Sequence, residues 1–218
     1  MAKLVWDEVG KKLYKTGVQN GVIYPITSDG AYTNGEAWNG LVQVDEKPTG
    51  GEATYLYANN YEYGIVMSAE KFEGSIQAYI YPDCFAECCG EAQLAKGVRV
   101  AQQTRKPFGF TYRNNVGNDT EGEDYGYTIH LLYGCRVKPS QMTNKTINEN
   151  IEAETMSWDF TASKVPVPEM KPTAHLMINS WEVDADKLKE LEKLLYGDTN
   201  TEPKLPLPSE ISALLAAA

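Results

Sequence analysis

The chain has 218 residues, a formal net charge of −10 and 42% hydrophobic residues, so it can build a sizeable core and is not a wholly disordered segment. Its acidity argues against a surface that grips nucleic acid, which needs clustered Lys and Arg. It leaves room for a surface that nucleic acid slides past. With 14 Tyr and 18 Gly, the composition suits many short strands and tight turns better than a helical bundle.

Residues 1–35 read as irregular. Short strands are expected at 12–16 and 22–24, broken by Gly17 and by Asn20-Gly21, and the stretch from Ser28 to Gly35 is rich in turn residues. Such a segment reads as an arm that orders against a neighbouring subunit, or as a decorated edge. Residues 36–82 read as a β-meander, with strands at 38–44, 53–57, 63–68 and 74–81 and turns at 48–51 and 59–60. Alternation places Ile76, Ala78 and Ile80 toward the core, and Pro82 ends that strand. A short helix is expected at 83–89, with Asp83 as N-cap and Gly90 as the stop.

The best-marked pair of strands follows. Residues 108–112 and 125–137 flank a tip of Asn, Gly, Asp, Thr and Glu, which predicts a long antiparallel hairpin with an acidic, polar end. Residues 147–160 read as a further strand, ending in 155–160 with Trp158 as a large apolar anchor. Residues 164–172, with three prolines, read as a connector, and 175–178 as a short strand. A helix is predicted over 184–196. It has Asp184 as its cap, Leu188, Leu191 and Leu195 on one stripe, and Gly197 as its stop. The tail ends in a short helix from Ser209. The whole reads as one domain over residues 1–218: arm 1–35, β core 36–180, helix 184–196 and tail 198–218.

No residue pattern marks an active site. Cys84, Cys88 and Cys89 lack the paired spacing of a zinc site, and neither His130 nor His175 lies near them in sequence. Residues 1–12 lack the apolar centre of a signal peptide, so free thiols in a reducing cytoplasm are expected, with Cys135 as the fourth. No apolar run reaches the length of a membrane span. His130 shares a strand face with Thr128 and Leu132, opposite Ile129 and Leu131. Two lone histidines without a nucleophile pattern do not make a triad. Asp119, Glu121 and Glu123 alternate in the hairpin tip, but Gly122 falls wrong for a calcium loop and no helices flank it. The expectation is therefore no enzyme, no cofactor and no metal.

The chain resembles the major tail tube proteins of long-tailed bacteriophages and prophages. The likeness is carried by Lys15-Thr16-Gly17-Val18 with Gly21 to Pro25, by Ala37-Trp38-Asn39-Gly40-Leu41, and by Ser68-Ala69-Glu70 with Ala78-Tyr79 and Tyr81-Pro82. It continues in Gly117 to Gly122 with Tyr125-Gly126-Tyr127 and His130-Leu131, in Lys171-Pro172-Thr173 and in Leu205-Pro206-Leu207-Pro208. Cys88-Cys89 and the Ala-rich end depart from it. The resemblance implies an antiparallel β-sandwich subunit with a flanking helix and extended loops or arms. Such subunits form rings, usually of six, which stack into a hollow tube. That tube conducts DNA without specific binding, grows from a tail-tip initiator around a tape-measure protein, and is capped by a terminator. The implied location is the virion tail, assembled in the bacterial cytoplasm, with no membrane partner. Asp119, Glu121, Glu123 and Asp124 are then candidates to line the lumen or to bridge rings. Other readings are a carbohydrate-binding β-sandwich using exposed Tyr and Trp, a tail completion factor, and an enzyme built on the acidic loop.

Overall fold

Strands form here where β-branched and aromatic residues are bracketed by Gly, Asn or Pro. In the computed structural model, which describes residues 3–146 and 153–216, they begin with β1 (Tyr14–Pro25), β2 (Glu36–Ala37), β3 (Leu41–Thr49), β4 (Ala53–Ala58), β5 (Tyr61–Met67) and β6 (Lys71–Ala78). Helix α1 (Asp83–Cys88) precedes β7 (Ala92–Ala95), β8 (Val98–Val100), β9 (Phe108–Asn118) and β10 (Gly122–Val137). Then come β11 (Met156–Ala162), β12 (Val165–Val167), β13 (Met170–Thr173), β14 (His175–Asn179), α2 (Ala185–Tyr196) and α3 (Pro208–Ala216).

The expectation of a mainly antiparallel β fold holds. One eight-stranded sheet runs in the order β2-β1-β9-β10-β11-β6-β3, with β14 also paired to β10. Strand β10 serves both halves of it. Residues Thr128 to Leu132 pair with β9 on one side and β14 on the other, and Arg136 and Val137 pair with β11. Between these stretches the ladder is broken at Gly134, whose φ of 57° suits glycine, and an added Cβ there would lie 2.8 Å from the Ser163 side chain.

Alternation then sorts the side chains into two cores. Ile23, Phe108, Phe110, Tyr112 and Leu132 from one half of the sheet pack with Ile76, Trp158 and Phe160 from the other. The halves therefore fold over a shared aromatic core, in which Trp158 meets Trp38, Tyr81 and Phe85 at ring centroid distances of 5.4–5.8 Å. On the opposite face, Val22, Tyr24, Ile129, Leu131 and Tyr133 bury the Leu188, Leu191 and Leu195 stripe of α2. Two buried tyrosine hydroxyls are satisfied there: Tyr24 donates to the Leu195 carbonyl at 2.7 Å and Tyr133 to that of Pro206 at 2.9 Å, whereas the Tyr196 hydroxyl is buried without a partner among the described residues.

Several expectations change. The expected strands at 12–16 and 22–24 merge into one bulged strand that starts at Tyr14, because Gly17 and Asn20 take positive φ and let the ladder resume. Residues 14–25 thus lie inside the sheet, and only residues 3–13 keep the character of an arm. Ile80 lies beyond the end of β6 and is 59% exposed. Pro82, not Asp83, is the N-cap of α1, and it makes no side-chain cap. Residues 164–172 are not a bare connector: β12 and β13 pair as a small hairpin. Asp184 does cap α2, accepting from Asp186 N at 3.0 Å and Lys187 N at 3.3 Å.

Candidate functional site

The acidic tip between β9 and β10 acts locally as a clasp. Asn118, buried, accepts at Oδ1 from Thr120 N at 3.1 Å and Glu121 N at 2.6 Å, which closes the turn. Asp119 accepts from Gly10 N at 2.9 Å and lies 3.9 Å from the Lys12 ammonium, so the tip holds the N-terminal segment. Asp119, Glu121, Glu123 and Asp124 are all exposed. The turn does not gather them around one point: among the described residues, the single cluster with metal-ligand proximity lies elsewhere.

That cluster is Glu46, His130 and His175, drawn from three strands. Cross-strand partners share a face. Leu132 opposite His175 and Tyr112 opposite His130 therefore put both imidazoles and the phenol on the side that faces the other half of the sheet. Glu46 reaches them from β3 of that other half. His130 Nδ1 lies 2.9 Å from Glu46 Oε1 and 3.0 Å from His175 Nε2, and His175 Nε2 lies 3.3 Å from the same carboxylate oxygen. The Tyr112 hydroxyl also donates to Glu46 Oε1, and its ring stacks on His130 at 4.5 Å. The two imidazoles lie within 11° of parallel with centroids 5.2 Å apart. With the nitrogens only 3.0 Å apart, that separation requires the rings to face each other edge to edge.

Burial raises the affinity of Glu46 for a proton, but hydrogen bonds from His130 and Tyr112 and the adjacent imidazoles outweigh it and hold its pKa down at about 2. Burial lowers His175 to about 4 against the opposing pull of Glu46. At neutral pH the site thus presents a carboxylate and a neutral His175 imidazole, the forms that ligate metals. Its mouth opens beside Lys15, Lys47 and Asn114.

Sequence reasoning missed this cluster. The two histidines are 45 residues apart, and Glu46 lies further away still on a strand of the opposite half. The one available signal was parity, which placed His130 on the face of Leu132 and so toward the second half of the sheet. The four cysteines are free. No helix among the described residues is long and apolar enough to cross a membrane.

A second feature is a surface. Strands β3 and β6 extend beyond the body as β4 and β5, after the positive-φ pair Gly50-Gly51. Every residue of β4 and all but Gly64 of β5 are exposed. The paired Tyr55 and Ile65, with Ala53 and Met67, share one face of this ribbon and have no cover. The hairpin β7–β8 is likewise exposed throughout, including Leu94, Val98 and Val100. No known family's model matches the chain, and no curated protein does.

Proposed function

We propose that the chain is a virion structural protein that polymerises as stacked rings into the hollow tail tube of a long-tailed phage, conducting DNA from capsid to host. The observation that carries this reading is the β4–β5 ribbon. A lone two-stranded hairpin is marginal in water, and this one exposes Tyr57 at 72%, Tyr61 at 78% and Tyr63 at 78% along with its aliphatic residues. A contiguous exposed apolar surface marks an interaction site. The partner assigned here is a second copy of the same chain.

Two further features support it. Strand β3 ends the main sheet and β14 pairs only with β10 among the described residues, so each offers a free edge that a neighbouring copy can continue. Head-to-tail contacts of that kind stack without closing along the axis. The net charge of −10 would repel the phosphate backbone, so DNA passes without sticking. In this reading Glu121, Glu123 and Asp124 line the lumen or bridge rings. The tape-measure, initiator and terminator proteins of the tail are its other partners, and the location is the virion.

The exposed tyrosines also favour a second reading, a carbohydrate-binding tail component, since sugars dock on aromatic faces. Negative-stain electron microscopy of the purified protein at high concentration separates the two. Long hollow filaments support the tube. A monomer that persists at high concentration and binds on a glycan array overturns it.

A further inference from the structure

Hydrogen bonding alone leaves the cleft between β3, β10 and β14 frustrated. Its three polar atoms, His130 Nδ1, His175 Nε2 and Glu46 Oε1, stand 2.9, 3.0 and 3.3 Å apart, each in contact with the other two. A hydrogen bond needs a donor facing an acceptor. In a triangle at least two atoms always share the same role, whichever tautomer each ring takes. One edge therefore always sets lone pair against lone pair, or proton against proton. With a proton on His130 Nδ1, the mismatch falls on the longest edge, between His175 and Glu46.

A cation removes the mismatch, because it accepts a lone pair from all three atoms at once. We propose that Glu46, His130 and His175 bind one divalent transition-metal ion of the zinc class. An ion about 2.1 Å from each ligand, at ligand angles of about 90–109°, separates the ligands by about 3.0–3.4 Å. The three atoms already stand close to that spacing. His130 moves its proton to Nε2, a change that costs no contact, since that nitrogen is buried without a partner in either tautomer. The rings now face edge to edge, so the His175 ring tilts to aim its lone pair at the ion. The Phe72 ring packs on His175 at a centroid distance of 4.9 Å, so this tilt slides the imidazole against that ring.

The donor set selects the metal. Two imidazoles and one carboxylate suit zinc, nickel or cobalt, whereas calcium and magnesium prefer an all-oxygen shell. The Tyr112 hydroxyl, donating to Glu46 Oε1, fixes the carboxylate as outer-shell partners of metal ligands do. Lys15 and Lys47 beside the cleft oppose added positive charge and moderate the affinity. The bound ion would tie β3, from one half of the sheet, to β10 and β14 of the other. This inference is independent of the proposed function, because it concerns ions bound per chain, whether or not the chain polymerises.

The test titrates chelator-stripped full-length protein with zinc sulfate by calorimetry, with cobalt chloride as a visible-absorption probe and thermal melting in parallel. Binding is expected to saturate at one ion per chain and to raise Tm with zinc concentration. Glu46→Gln and His175→Gln, both at partly exposed positions, should each weaken binding by at least about tenfold, and Tyr112→Phe by about 10–100-fold. A Cys84→Ser/Cys89→Ser variant should bind like the native chain. The inference is overturned by the absence of saturable binding of zinc, cobalt and nickel at submillimolar concentration. It is equally overturned if Glu46→Gln and His175→Gln bind as the native chain does, or if the cysteine variant alone loses the ion.

Discussion

Burial pushes the thiols of Cys88 and Cys89 up to about 12 and raises Cys84 and Cys135 as well, so at neutral pH none is a ready thiolate. A thiol-disulfide reagent at neutral pH should therefore react slowly with the folded chain and rapidly with all four cysteines in denaturant; fast reaction of the folded protein would contradict this. At the start of α2, Asp184→Ala removes two accepted hydrogen bonds and should cost about 1 kcal/mol in a urea titration. Gly74 leaves still less latitude. A Cβ there would meet the Asp45 carbonyl and stand 2.6 Å from the Phe160 ring, so Gly74→Ala should destabilise by about 1–3 kcal/mol. Of these residues, the cap was legible in sequence because its partners lie two and three positions away. The cluster of Glu46, His130 and His175 was not. It exists only once β14 pairs with β10 and β3 crosses over them, and no local rule reports contacts at such separations.

At the scale of elements, strands were legible where an apolar run met a turn signal, as in much of β6 and the first half of β9, whose second half, 113–118, read as loop. They were misjudged where glycine and asparagine sit inside the ladder. Gly17 and Asn20 look like breaks, yet β1 carries them as bulges and still pairs with β9 from Tyr14 to Pro25. The prolines around β12 and β13 hid a hairpin in the same way. Alternation also could not tell a buried face from an exposed one. In β5, Ile65 and Met67 follow the pattern of a core strand and are nonetheless exposed. Ile65→Lys should accordingly leave the subunit's Tm unchanged while abolishing filaments in electron micrographs. A large loss of Tm would mean that the ribbon is covered from within.

For the whole molecule, the charge of −10 and the clasp between Asp119 and Gly10 carry the expectations. Reversing charge at positions that do not hold the clasp, Glu121→Lys with Glu123→Lys, should spare the fold and impair tube assembly or DNA passage, read as loss of infectivity. Full infectivity would remove these residues from the lumen and from ring contacts. Residues 3–13 should gain hydrogen-exchange protection when chains assemble, while β1 should be protected already in the isolated chain.

Strand β10 turns at Gly134 and continues from one half of the sheet into the other, so no seam divides the subunit. In the proposed tube, a bending load would meet one connected sheet within each unit. Flexing in such an assembly would fall on the joints between copies, and a long shaft would curve by many small slips from one unit to the next.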